Sequence, residues 1–277
     1  MPEPRAAAGT VLPVEAVLFD IDDTLVDFHG AAMSALAEAT AVIRGQLEVD
    51  AGRLVELWES LNDREYGRFL SGELDFDAMR NARMQALLGE LDPERVTAWD
   101  HRLVEEQRNS SIFGFYTLFP DVRPCLDRLR EQGIAVGIIS NSDGDYQRRK
   151  LRTVGLHEFV DTAVCSGDVG VSKPDPAIFT LAVEQLGVHP AHAVYVGDRW
   201  FTDTVGALRA GLGGVWLNRE RRPRPEVPTA AEDVCGPDDG SDPTLGRLFA
   251  EIGSLDDLRV VPRSARTGGA AAGDAAR

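Results

Sequence analysis

The residues of this 277-residue chain best suited to chemistry fall into four short groups. Asp20, Asp22 and Asp23 follow directly on the apolar run Val14 to Phe19, and Ser140, Asn141 and Ser142 follow Ile134 to Ile139. Ser172, Lys173 and Pro174 come after the short run Thr162 to Cys165, while Gly197 and Asp198 follow Ala193 to Val196, with Asp203 further on. A carboxylate at a strand end can attack a phosphorus centre, and a second carboxylate nearby can give and take a proton. A serine hydroxyl and a lysine can hold and neutralise an anion. Taken singly, each group also has an ordinary explanation. Asp20 to Asp23 suit a turn, Ser140-Asn141 suits a helix cap, Lys173 suits the surface, and Asp198 with Asp203 suits a solvated first helical turn. Their common position, each just past a strand, is what points to one site.

The elements that must hold these groups can be read from periodicity. Val14 to Phe19, Ile134 to Ile139, Thr162 to Cys165, Ala193 to Val196 and Gly214 to Leu217 are short apolar runs of strand type. Between them, Val122 to Glu131, Asp145 to Val154, a Pro174-initiated stretch to Leu186 and Thr202 to Ala210 have helical character. Strands alternating with helices of about ten residues imply parallel βαβ units, hence an α/β, Rossmann-like core. In an open parallel sheet the site lies at the carboxyl ends of the strands, where all four groups sit. From about Ala31 to Arg108 the pattern changes to long amphipathic helices: Ala32 to Ile43, Leu54 to Leu70, Phe76 to Leu88 and Pro93 to Arg108. The expected organisation is an arm over 1–13, a core over 14–28 plus 112–218 and an inserted helical module over 29–111. A linker over 219–244, a last core segment over 245–262 carrying a docked helix, and a tail over 263–277 would complete it.

In order, Asp20-Ile21-Asp22-Asp23-Thr24, Ser140 after its strand, Lys173, and Gly197-Asp198 with Asp203 resemble the signature of the haloacid dehalogenase superfamily. The resemblance spans about residues 14–217, and the helical block stands where that superfamily inserts its cap. It implies that Asp20 is the nucleophile and that Asp22 protonates the leaving oxygen and later takes a proton from water. Ser140, with Asn141 beside it, would bind phosphoryl oxygens, and Lys173 would offset their charge. A bound phosphomonoester, Asp20, Asp198 and Asp203 against Lys173 leave roughly −4 in one cleft, which calls for a divalent cation. Oxygen-only donors favour Mg²⁺, and the resemblance implies a site made of Asp20, the carbonyl of Asp22, Asp198 and Asp203. The cap would close over the site and set the substrate, with Phe28, His29, Arg64, Tyr66, Arg68, Arg83 and Trp200 as candidate contacts.

The activity so implied is Mg²⁺-dependent hydrolysis of a small phosphomonoester such as a sugar phosphate, a phosphoglycolate-like acid or a nucleoside monophosphate. Two reactions of the same superfamily stay open: 2-haloacid dehalogenation and phosphomutase chemistry. Asp22 weighs against the first, because a departing halide needs no proton. A catalytically idle partner-binding protein would have no use for so dense an acidic cluster.

Composition narrows the partners. With 45 acidic residues against 29 Lys and Arg, a net charge of −16 opposes binding to nucleic acid or anionic membrane surfaces. Cys125, Cys165 and Cys235 form no ligand-type pair. No apolar run approaches the roughly 18 residues that span a bilayer, and the first ten residues lack a signal-type apolar centre. A cytoplasmic enzyme is expected, with a possible homodimer through the cap face.

Overall fold

The computed structural model describes residues 12–41, 45, 51–94, 96–224 and 249–263, which divide into two compact units, Val26–Leu118 and the remainder. The expected arm up to residue 11, the end of the first module helix at Ile43, the linker beyond Arg224, Cys235, residues 245–248 and the tail from 264 lie outside the described residues.

The larger unit is built on a six-stranded, all-parallel sheet. Its strands are β2 (Ala16–Phe19), β3 (Ala135–Ser140), β4 (Thr162–Cys165), β5 (Ala193–Gly197), β6 (Gly213–Leu217) and β7 (Phe249–Ile252), in the order β4-β3-β2-β5-β6-β7. The chain first builds outward from β2 through β3 to β4, then crosses back to continue from β5. That reversal makes the carboxyl end of β2 the topological switch point. The register fixes what meets there: Phe19 pairs with Ile138 on one side and Val196 on the other. Asp20, Ser140 and the Gly197-Asp198 pair are therefore carried to the same edge.

β2 and β5 are buried along their whole length, as central strands of a covered parallel sheet should be. One layer of the core joins Leu18, Ile139, Val164 and Tyr195 of the strands to Ile178, Phe179, Ala182 and Val183 of the helix Pro176–Leu186. That helix starts two residues later than expected, because Asp175 caps it by accepting from the Ala177 N–H. The expected Thr202–Ala210 helix is a wide turn over Trp200–Val205 followed by a short helix, Gly206–Arg209.

Two further expectations are corrected. The apolar run read as one strand from Val14 is two: β1 (Leu12–Val14) leaves the central sheet at Glu15 and pairs with β8 (Val260–Pro262) in a separate two-stranded parallel sheet. The segment read as a docked C-terminal helix is instead β7, then a short turn, then β8. Gly253 and Ser254 interrupt any helical period, and Phe249 finds its burial against Trp200 and Trp216.

The smaller unit is helical: α1 (Phe28–Ala39), α2 (Ala51–Leu70), α3 (Phe76–Leu91) and α4 (His101–Ser111). The expected Pro93–Arg108 helix is broken at Asp100, which caps α4 through the N–H groups of Arg102 and Leu103. Its core gathers Leu36, Leu54, Trp58, Leu61, Met84, Leu87 and Leu88. Glu105, almost wholly buried, accepts two hydrogen bonds from Arg108 at 2.7 and 2.6 Å and one from Arg80 at 3.0 Å. No helix among the described residues is long and apolar enough to cross a membrane.

Candidate active site

Asp20 is the residue on which the site converges. It leaves β2 with its N–H donating to Val196 O at 2.9 Å, so its backbone is locked to β5. Its carboxylate accepts from Lys173 Nζ at 2.6 Å, and the same ammonium lies 2.8 Å from Asp203. Lys173 also donates to the hydroxyl of Tyr195 at 2.8 Å, and that hydroxyl donates to the Ile139 carbonyl at 3.0 Å. The loop bearing Lys173 is held by Asn141, whose side-chain amide accepts from the Lys173 N–H at 2.7 Å and donates to its carbonyl at 2.8 Å. Asn141, a candidate substrate contact in the sequence, thus has both ends of its amide on the lysine loop.

Asp203 is buried, and its second oxygen accepts from the Arg199 N–H at 2.9 Å. It packs so closely on Gly197 that a Cβ there would come within 2.4 Å of Asp203 Oδ2. Carboxylate oxygens of Asp20, Asp198 and Asp203 lie within 4.8 Å of one another. Burial, then the charges of Asp20 and Asp203, push the Asp198 carboxyl up to about 8. Asp20 is pushed up to about 6: burial raises it, Lys173 pulls it down, and Asp203 and Asp22 raise it further. Burial works against the charge on Lys173, but the two aspartates outweigh it and hold the lysine above its ordinary range.

Acids driven upward by burial and mutual repulsion mark a place short of positive charge. A hard divalent cation, which takes oxygen ligands, fits this donor set. Asp20 and Asp198 are the carboxylates best able to offer it an oxygen, since Asp203 has Lys173 on one oxygen and an N–H on the other.

Asp22 stands beside this group, its side chain about 30% exposed. One oxygen meets Lys150 Nζ and the other accepts from Gln147 Nε2 at 3.0 Å. Gln147 Nε2 is also 2.9 Å from Ser140 Oγ, which accepts from it and keeps its own hydroxyl proton to donate. Gln147 and Lys150 escaped the sequence reading, where Gln147-Arg148-Arg149-Lys150 looks like a solvated basic helix face. The available signal was the stripe Gly144, Gln147, Lys150 and Leu151, which helical spacing puts on one side with a residue that must be buried. Tyr195 was read only as part of an apolar strand.

The remaining candidates have these contacts within their own units. Trp200 is buried against Trp216 and Phe249 and contributes to packing. Within the helical unit, Phe28 stacks on Tyr116, and His29 is 3.9 Å from Glu59. Arg64 and Arg68 both bind Glu65 at 2.7 Å, and Tyr66 packs on Phe69. Arg83 is buried over the Trp58 ring and donates to Asn62 at 2.6 Å.

The larger unit thus combines a parallel sheet with an acidic strand end, a buried lysine and a second acidic pair. The profile of haloacid dehalogenase-like hydrolases matches residues 14–211, and the chain belongs to that family. A glyceraldehyde 3-phosphate phosphatase of Methanopyrus kandleri is 35% identical over 209 residues, 74% of this chain and 84% of that protein. Among solved structures, the HAD-hydrolase YfnB of Bacillus subtilis bound to magnesium has the same fold, with a TM-score of 0.66 at 24% identity over 89% of this chain and 97% of that one. A 2-haloacid dehalogenase of Pseudomonas syringae pv. Tomato is 27% identical with a TM-score of 0.52, over 88% and 96% of the two chains.

Proposed function

We propose that the protein is a Mg²⁺-dependent phosphatase that hydrolyses a small phosphomonoester through a covalent phosphoryl group on Asp20. The observation that carries this reading is the pairing of Asp20 with buried Lys173 at the carboxyl end of β2, with the charge of Asp22 near enough to raise the Asp20 carboxyl. With its carboxyl near about 6, Asp20 is mostly ionised at neutral pH and so able to attack. In the first half-reaction an Asp20 oxygen bonds to phosphorus, the bond to the leaving oxygen breaks, and Asp22 gives that oxygen a proton. In the second, water attacks the phosphorus, Asp22 takes the water's proton, and Asp20 is released with inorganic phosphate. Ser140 donates to a non-bridging oxygen, and Lys173 sets the position and charge of Asp20.

Asp20, Asp198 and the Asp22 carbonyl, with Asp203 in support, would hold Mg²⁺, which would supply charge neutralisation for the phosphoryl group. Phosphatase chemistry agrees with the archaeal relative's name and with Asp22, which a halide leaving group would not need. The test is phosphate release from a panel of phosphomonoesters with Mg²⁺. Asp20→Asn is expected to reduce kcat by about 10³-fold or more. Unchanged turnover in that variant, or turnover indifferent to chelation, overturns the reading; chloride release from a 2-haloacid selects dehalogenation.

A further inference from the structure

Lys150 is the one lysine side chain besides Lys173 in the buried set, fully enclosed, and its ammonium meets the carboxylate of Asp22. A buried ammonium costs several kcal/mol unless a partner offsets it, and an apolar residue of similar volume often serves stability as well or better. Stability therefore gives little reason for a charge at this place. Gln147, one turn earlier on the same face, has its Nε2 on both Asp22 and Ser140, and its Oε1 is buried with no partner. The helix that carries both, Gly144–Thr153, is capped by Asp143 and anchored by buried Leu151, so it presents the two groups from a fixed support.

We infer that Lys150 and Gln147 are positioning residues for the acid–base step: together they hold the Asp22 carboxylate from the side of the helix and tie its direction to Ser140. A carboxyl group has about four hydrogen-bonding directions, all acceptors when ionised and one of them a donor when it carries the proton. Two contacts from the helix side leave the others open, in keeping with the partial exposure of Asp22. The same amide that sets Asp22 also occupies Ser140 as an acceptor, which turns the serine's proton away from Gln147. The proton donor for the leaving oxygen and the donor for the phosphoryl oxygen are thereby set in one frame, as a reaction that depends on sub-ångström alignment requires.

This inference rests on the phosphatase reading and is tested on the full chain with Mg²⁺, using an alkyl phosphomonoester and p-nitrophenyl phosphate. Lys150→Met is expected to lower kcat on the alkyl ester about 10²-fold, with KM within about threefold. The first turnover of the nitrophenyl ester should fall less than about threefold, because nitrophenolate leaves without a proton. In an Asp22→Asn background Lys150→Met should change kcat less than about twofold, since the group it positions is already gone. Gln147→Leu, which removes no charge, should show the same pattern and carries the test if Lys150→Met does not fold. Equal losses on both esters, or full losses in the Asp22→Asn background, overturn the inference and leave Lys150 a structural residue. Wild-type turnover that Asp22→Asn impairs but neither helix variant affects overturns it alone. Wild-type silence on both esters overturns the phosphatase reading and the positioning role with it.

Discussion

Cation binding should expel protons, and the number is set by the acidic cluster. In the metal-free protein Asp198 titrates near about 8 and Asp20 near about 6, against an ordinary 3.8, because both are buried beside other carboxylates. At pH 7 Asp198 is then about nine-tenths protonated and Asp20 about one-tenth, so binding Mg²⁺ to both as carboxylates releases about one proton per ion. The release should fall to about 0.1 at pH 9 and rise to about 1.8 at pH 5.5. Isothermal titration calorimetry in two buffers of equal pH but different ionisation enthalpy reads this number directly. Asp198→Asn, with that site removed, should release only about 0.1 at pH 7. The folded metal-free protein holds protons that the unfolded chain gives up between the ordinary value and the raised ones. The contribution of these two acids to stability therefore falls as pH rises from about 4 to about 8, and the stabilisation by Mg²⁺ grows over the same window. A release near zero at pH 7 that stays flat to pH 9 would refute the argument, since it would mean that the acids are already ionised.

Two further substitutions test the framework. Gly197→Ala puts a methyl group within 2.4 Å of Asp203 Oδ2 and must displace it; kcat should drop about tenfold or more while Lys173, still paired with Asp20, keeps the unfolding midpoint close to wild type. Glu105→Ala removes the carboxylate shared by Arg80 and Arg108, with Arg83 3.9 Å away. Removing the one buried carboxylate that these guanidiniums share should destabilise the helical unit by about 3–5 kcal/mol, measured by chemical denaturation.

The strand ends were legible because each apolar run stops at a residue with chemistry, and parallel pairing in register brings such ends together without any information about side-chain contacts. Thr162–Cys165 emerged with its observed bounds from its short apolar run alone. β7 was not legible: four residues hold no period that separates strand from helix, and its identity comes from the free edge of β6 beside it. Lys150 was hidden for a related cause. Helix sequence alone gives an exposed value for lysine, and only the position of Asp22 across the cleft explains why this one is enclosed. Arg64 and Arg68 show the converse, since their partner Glu65 was in plain view at adjacent and helical spacing, whereas Asn62, the partner of Arg83, lies on another helix.

β1 and β8 have a consequence for how the chain is made. Leu12 lies beside Val260, so a strand from the beginning of the described chain is completed by one near its end. β2 likewise gains its neighbours only when Ala135 and Ala193 reach it. During synthesis from the amino end, the contiguous helical unit can form while β2 still lacks both partners. The strand that ends in Asp20 thus leaves the ribosome among the first elements but is paired on both sides only after Ala193 has followed, and a truncation before Phe249 would remove β7 and β8 while retaining every candidate catalytic residue.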